Sequence, residues 1–181
     1  MRTALMLACA AAMLTVSLSV RSDDAPTGRE KRVCLPGAVA FENPDPKRWQ
    51  WTSGNLCPTC LPRPVARLVD IKRNALIQMI LLDAETRPVR AVVRSFVNLM
   101  ERDGFKYSLT TVGHGTDLQV SIAWSDGKPD GFSGKMTVML LRGNPKLTLA
   151  VTGMWFTRDN AAITKDFDVA ARSVKWCPPD Q

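Results

Sequence analysis

Four runs of alternating side chains between residues 105 and 152 constrain this chain more than any other feature. Phe105, Tyr107 and Leu109 alternate with Lys106, Ser108 and Thr110, and Leu118, Val120, Ile122 and Trp124 alternate with Gln119, Ser121 and Ala123. A period of two places each set on one face of a strand, so each run has one face to bury and one to leave polar. The third run, Met136, Val138 and Leu140, carries Met139 and Leu141 on its other face; the fourth sets Leu147, Leu149 and Val151 against Thr148, Ala150 and Thr152. Turn-forming residues fall between them: Gly113-His114-Gly115-Thr116, a longer Ser125 to Gly134 segment with Asp126-Gly127 and Asp130-Gly131, and Arg142-Gly143-Asn144-Pro145. Short links of this kind join antiparallel neighbours, which predicts a four-stranded antiparallel meander.

Helical periodicity brackets these strands. Val89, Val92, Val93, Phe96, Val97 and Met100 recur at three- and four-residue steps; Thr86 is positioned to cap the helix, Pro88 to sit in its first turn and Gly104 to end it. A closing helix is predicted over about residues 159–174, with Ile163, Phe167, Ala170, Ala171 and Val174 on its apolar face. Residues 65–82 also read as helix through Leu68, Ile71, Ala75, Met79 and Leu82, although the unbroken run Ala75 to Leu82 suits a buried strand as well. The expectation for residues 65–181 is an α+β, two-layer domain. Its meander has helices on one face, and the polar alternate face, Thr148, Ala150 and Thr152 included, is open to solvent or a partner. The order of strands, turns and closing helix resembles that of small sheet modules such as the PsbP/Mog1-like proteins; no sequence motif ties the chain to them, and no membership follows.

Upstream the character changes. Seven of the twelve prolines fall in residues 23–64, where no sustained apolar periodicity appears, so residues 20–64 read as a loop-rich arm with Trp49 and Trp51 as its apolar anchor or as the lining of a ligand groove. Residues 1–19 read as a secretory signal peptide: Arg2, an apolar run from Ala4 to Val20 broken by Thr15, Ser17 and Ser19, then polar Arg21-Ser22-Asp23-Asp24. The run is close to the length of an uncleaved membrane anchor, and Cys9 offers a lipidation site with a poor flanking sequence.

Export gives the cysteines their meaning. Removing the signal leaves Cys34, Cys57, Cys60 and Cys177, an even set with three possible pairings in a compartment that permits disulfides. Cys57-Pro58-Thr59-Cys60 has redox spacing, but Pro62 and Pro64 block an immediate helix and no apolar strand precedes it, so two structural disulfides that tether the arm are expected instead. Zinc would need further ligands at the usual spacing, which Cys34, Cys177 and His114 do not supply.

No catalytic constellation, cofactor motif or metal-ligand set emerges. His114, the single histidine, lies between glycines with Asp117 the sole nearby acid, which is the setting of a turn residue rather than a general base. Asp126 and Asp130 lack the density and distal Glu of a calcium loop. The formal net charge is +7, or +6 once Arg2 leaves with the signal, so the mature surface attracts anions. Arg87, Arg90 and Arg94 follow three- and four-residue steps opposite the Val89 to Met100 face, either as a solvated edge or as a contact for an anionic partner. Together these features predict an exported cell-envelope binding module without catalytic activity, with an envelope protein or anionic envelope component as partner and nucleic acid a poor fit. The alternatives are a thiol-disulfide oxidoreductase using the CxxC pair, or a hydrolase assembled from residues distant in sequence.

Overall fold

Residues 106–156 form the expected meander, but as one half of a larger sheet. The computed structural model describes residues 27–53, 64–128 and 130–179. In chain order the elements are β1 (Thr27–Gly28), β2 (Arg32–Cys34), β3 (Ala38–Glu42), β4 (Gln50–Ser53), β5 (Pro64–Asp70), β6 (Ala75–Asp83), α1 (Val89–Asp103), β7 (Lys106–Val112), β8 (Gln119–Ser125), β9 (Phe132–Leu141), β10 (Asn144–Phe156), α2 (Asn160–Ser173) and β11 (Lys175–Cys177). The large sheet has eight strands rather than four, in the order β1-β4-β5-β6-β10-β9-β8-β7, and a second sheet has the order β11-β3-β2. All the pairings among the described residues are antiparallel. The chain therefore leaves β6 in the middle of the sheet, crosses one face as α1 to the far edge at β7, and meanders back until β10 pairs with β6.

Residues 65–82 are a hairpin, not a helix. A tight 3-10 turn at Ile71–Arg73 joins β5 to β6, with the Asp70 carboxylate accepting from the Arg73 amide and Asn74 in the left-handed region at φ 47°. The helical reading failed because β6 lies between two other strands and has both faces covered. Alternate residues Ile77 and Met79 enter one core, Ile80 packs against the other, and a strand buried on both faces has no period of two.

The helices also lie on opposite faces of the sheet, where one face was expected. On one side α1 covers Val120, Ile122, Met136, Val138 and Ala150. On the other, α2 and the small sheet cover Met79, Met139, Leu149, Val151 and Trp155. Adjacent strand residues such as Val138 and Met139 enter different cores, which period-two geometry requires of a sheet sandwiched between two layers. Ala150 is thus beneath α1 and Thr148 is buried, so the Thr148, Ala150 and Thr152 face is not the open one. The α1 helix begins at Val89 behind Pro88, and the Thr86 hydroxyl bonds to the Asp83 carbonyl instead of capping it. Gly104 ends α1 at φ 75°, a conformation that costs glycine least. At the other helix, a Cβ on Gly153 would lie 2.8 Å from the Phe167 ring, so glycine there sets how closely α2 approaches β10.

Residues 27–53 are built into the same body as strands β1 to β4 rather than forming a loop-rich arm. Strands of two to five residues are too short to show periodicity, and their partners are remote in sequence: β4 pairs with β5, and β3 pairs with C-terminal β11. A buried polar cluster fixes this segment. Arg48 donates from Nε and Nη2 to Asp70 Oδ2 at 3.1 and 3.0 Å, its Nη1 lies 3.1 Å from Asp166 Oδ2, and Trp49 Nε1 donates to that same Asp166 oxygen at 3.0 Å. One arginine thereby ties the β3–β4 connection to β5 and α2. The signal peptide assigned to residues 1–19 and the CxxC pair lie outside the described residues.

Candidate functional site

The open face of the sheet is where α2 stops covering it. Alternation places Lys106, Ser108, Thr110 and Val112 of β7 beside Ser125, Ala123, Ser121 and Gln119 of β8. The next pairing sets those β8 residues beside Ser133, Lys135, Thr137 and Met139 of β9. The floor is therefore polar, three strands wide, with α2 as its wall. It holds two adjoining hollows of about 370 and 310 Å³, which share Ser108, Ala123 and Lys135. Asn160 and Thr164 flank the first, and Asp168, Ala171 and Arg172 the second.

Hydroxyls and cations dominate this groove. Ser121 Oγ and Thr137 Oγ1 are 3.0 Å apart and share a hydrogen bond, as do Ser133 Oγ and Thr157 Oγ1 at 3.0 Å. Lys135 Nζ donates to Asp168 Oδ1 at 2.6 Å and lies 5.8 Å from the centre of the Phe167 ring. Arg172 Nε donates to the Asp168 carbonyl at 3.0 Å. Lys106, Lys135 and Arg172 against Asp168 leave the groove with an excess of positive charge. Such an array can hydrogen-bond a hydroxylated ligand and attract an anionic one.

The residues singled out by sequence fall elsewhere. Trp49 is 0% exposed and Trp51 8%, so both indoles are core and neither lines a groove. Trp51 Nε1 donates to Glu30 Oε2 at 2.6 Å. The Glu30 carboxyl is held below its ordinary range first by a hydrogen bond it accepts from its own backbone N–H and next by this indole. Arg90 and Arg94 lie one turn apart on the exposed side of α1, and Arg87 precedes the helix because Pro88 caps it. Among the described residues none of the three makes an ion pair. His114 is exposed at the β7–β8 turn, where its carbonyl accepts from the Asp117 amide. A disulfide joins Cys34 to Cys177 with Cα atoms 5.7 Å apart, within the span that such a bond bridges without backbone movement. Among the described residues no group of three or more His, Cys, Asp or Glu side chains could hold a metal, and no helix is long and apolar enough to cross a membrane.

On the other face the edge strand is held to α1 by one side-chain bond. Tyr107 donates its hydroxyl to Glu101 Oε1 at 2.6 Å, and this bond, with smaller effects of desolvation and the carboxylate charge, raises the phenol pKa above its ordinary value. Tyr107 is the single tyrosine, so the ultraviolet absorbance of phenolate reports it alone. The expected result is a titration midpoint above that of a free tyrosine, moving down in Glu101→Gln. An unchanged midpoint in that variant would show that the bond does not form in solution.

Strand order, the α1 crossover and the closing α2 are the features by which this chain can be compared with others. The fold is similar to that of two solved proteins. One is LpqN of Mycobacterium tuberculosis, described as involved in cell envelope biogenesis, with a TM-score of 0.53 and 15% identity over 88% of this chain and 95% of that one. The other is the cyanobacterial PsbP of Synechocystis sp. PCC 6803, with a TM-score of 0.50 and 11% identity over 80% of this chain and 91% of that one. At such identities the likeness is one of fold. No family model and no curated protein matches the sequence.

The groove was half legible beforehand. The polar positions of β7 and β8 stand out by alternation, but Ser133, Lys135 and Thr137 precede or interrupt an apolar run and join the floor only through the β8–β9 register.

Proposed function

We propose that this chain is an exported cell-envelope binding module, without catalytic activity, that holds an anionic, hydroxyl-bearing envelope component in the groove between α2 and β7–β9. The observation that carries this reading is the cationic, hydroxyl-lined floor, left uncovered on a sheet whose remaining faces are largely packed. The N-terminal apolar run and the even cysteine set support export, and the envelope role described for LpqN is consistent with it. The unpaired Arg90 and Arg94 edge is the competing recognition surface.

A soluble glycerol-phosphate oligomer, titrated calorimetrically with neutral dextran as control, separates the two. Binding of the oligomer is expected to weaken as salt rises. Lys106→Gln with Lys135→Gln should cost about tenfold in affinity, equivalent to about 1.4 kcal/mol for two partly exposed charge contacts. Lys135→Gln acts in the same direction twice, because it also unmasks Asp168. Arg90→Gln with Arg94→Gln should leave affinity unchanged. Loss in the helix variant alone would move recognition to α1, and no binding by the parent would overturn the anionic reading.

A further inference from the structure

We propose that β7 pairs antiparallel with β7 of a second copy of this chain, joining the two eight-stranded sheets across a two-fold axis at Leu109. The inference stands on the strand edge and holds whatever the groove binds. Strand β7 is the last in the large sheet, seven residues long, paired with β8 on one side and with nothing among the described residues on the other. Its outward N–H and C=O groups form an unused ladder. The opposite edge, β1, is only two residues. Two of the three large apolar side chains most exposed in the described residues, Leu109 at 49% and Val112 at 61%, belong to this strand.

The strand is complementary to itself. With Leu109 opposite Leu109 of the second copy, Ser108 meets Thr110, Tyr107 meets Thr111 and Lys106 meets Val112, so the central pair is apolar, hydroxyl faces hydroxyl on either side of it, and a lysine lies beside a valine at each end. Lys106, the strand's single charge, is never set against its own copy, and the end bearing it faces the end where Asp117 of the other copy is exposed. Most edge strands guard against such pairing with a central charge, a proline or a bulge, and β7 has none of these between Tyr107 and Val112. An axis perpendicular to the sheet keeps faces in common. The two polar grooves would then run together as one floor six strands wide, walled at both sides by an α2 helix.

Sedimentation velocity over rising protein concentration tests this. The parent is expected to move from monomer to dimer. Leu109→Lys sets like charges directly opposite across the axis, so it should remain monomeric, and so should Leu109→Glu, with far-ultraviolet circular dichroism and melting unchanged because the side chain is exposed. Mixing the two variants should restore a dimer, since lysine then faces glutamate. A parent that stays monomeric at about 1 mM, where even a small interface would be populated, overturns the proposal. So does a dimer that survives in Leu109→Lys, or a mixture that does not associate. The oligomer titration of the monomeric Leu109→Lys protein is read separately, so failure of the groove reading and failure of the pairing are distinguishable.

Discussion

Replacing Cys34 and Cys177 together by serine is expected to lower the unfolding free energy by about 2–5 kcal/mol. The bond closes a loop with a sequence separation of 143 residues, so in the chain-entropy account it removes a large share of the denatured chain's freedom. The upper end of that range, about 5 kcal/mol, is what the logarithmic dependence gives for a loop of this length. Tertiary placement adds to the effect. Cys177 is fully buried at the end of β11, a strand of only three residues paired to β3, so the bond locks a short terminal strand into the body. The double variant is preferred to reduction because it leaves Cys57 and Cys60 untouched. Urea unfolding of parent and variant measures the difference, and coincident midpoints would mean that the bond does not form in the folded protein.

Phe167→Ala is expected to cost about 3–5 kcal/mol, the range for emptying a fully buried aromatic site. Phe167 is 0% exposed at the centre of α2, its ring centroid 6.1 Å from that of Trp155 and close to the bare Cα of Gly153. The vacated space lies between a helix and a sheet that are tied together on both sides, by Arg48 to Asp166 and by Lys135 to Asp168, which limits collapse into the cavity. Phe96→Ala on half-buried α1 should cost less, because part of that ring already meets solvent. Thermal or urea melts rank the two, and equal losses would mean that the α1 layer is as tightly packed as the α2 layer.

Which parts of this architecture could be read in advance follows from how each is stabilised. The α1 and α2 faces and the alternation in β7 and β8 are local patterns, because an element with one side wetted by solvent and the other covered by a core carries its period in the residues themselves. Strand β6 left no such trace, since Ile77 and Ile80 enter different cores and the run looks uniformly apolar. Trp49 and Trp51 could be read from sequence as anchors or as a groove. Their burial is decided by residues remote in the chain: both join the core that holds Leu68 of β5 and Phe167 of α2, and Asp166 accepts from Trp49.

By itself the sequence determined that there would be an antiparallel meander with amphipathic helices, a basic surface and cysteines suited to disulfides, because each of these is written in residues that are near one another. Only the tertiary structure decided that the sheet has eight strands, that its helices lie on opposite faces, and that Cys34 meets Cys177. It alone brought Ser108, Ser121, Thr137, Lys135 and Asp168 into one groove. The physical reason is that strand pairing and layer packing depend on contacts between residues far apart in the chain. A short strand such as β3, or a lysine such as Lys135 in an apolar run, acquires its role only from the partner laid beside it.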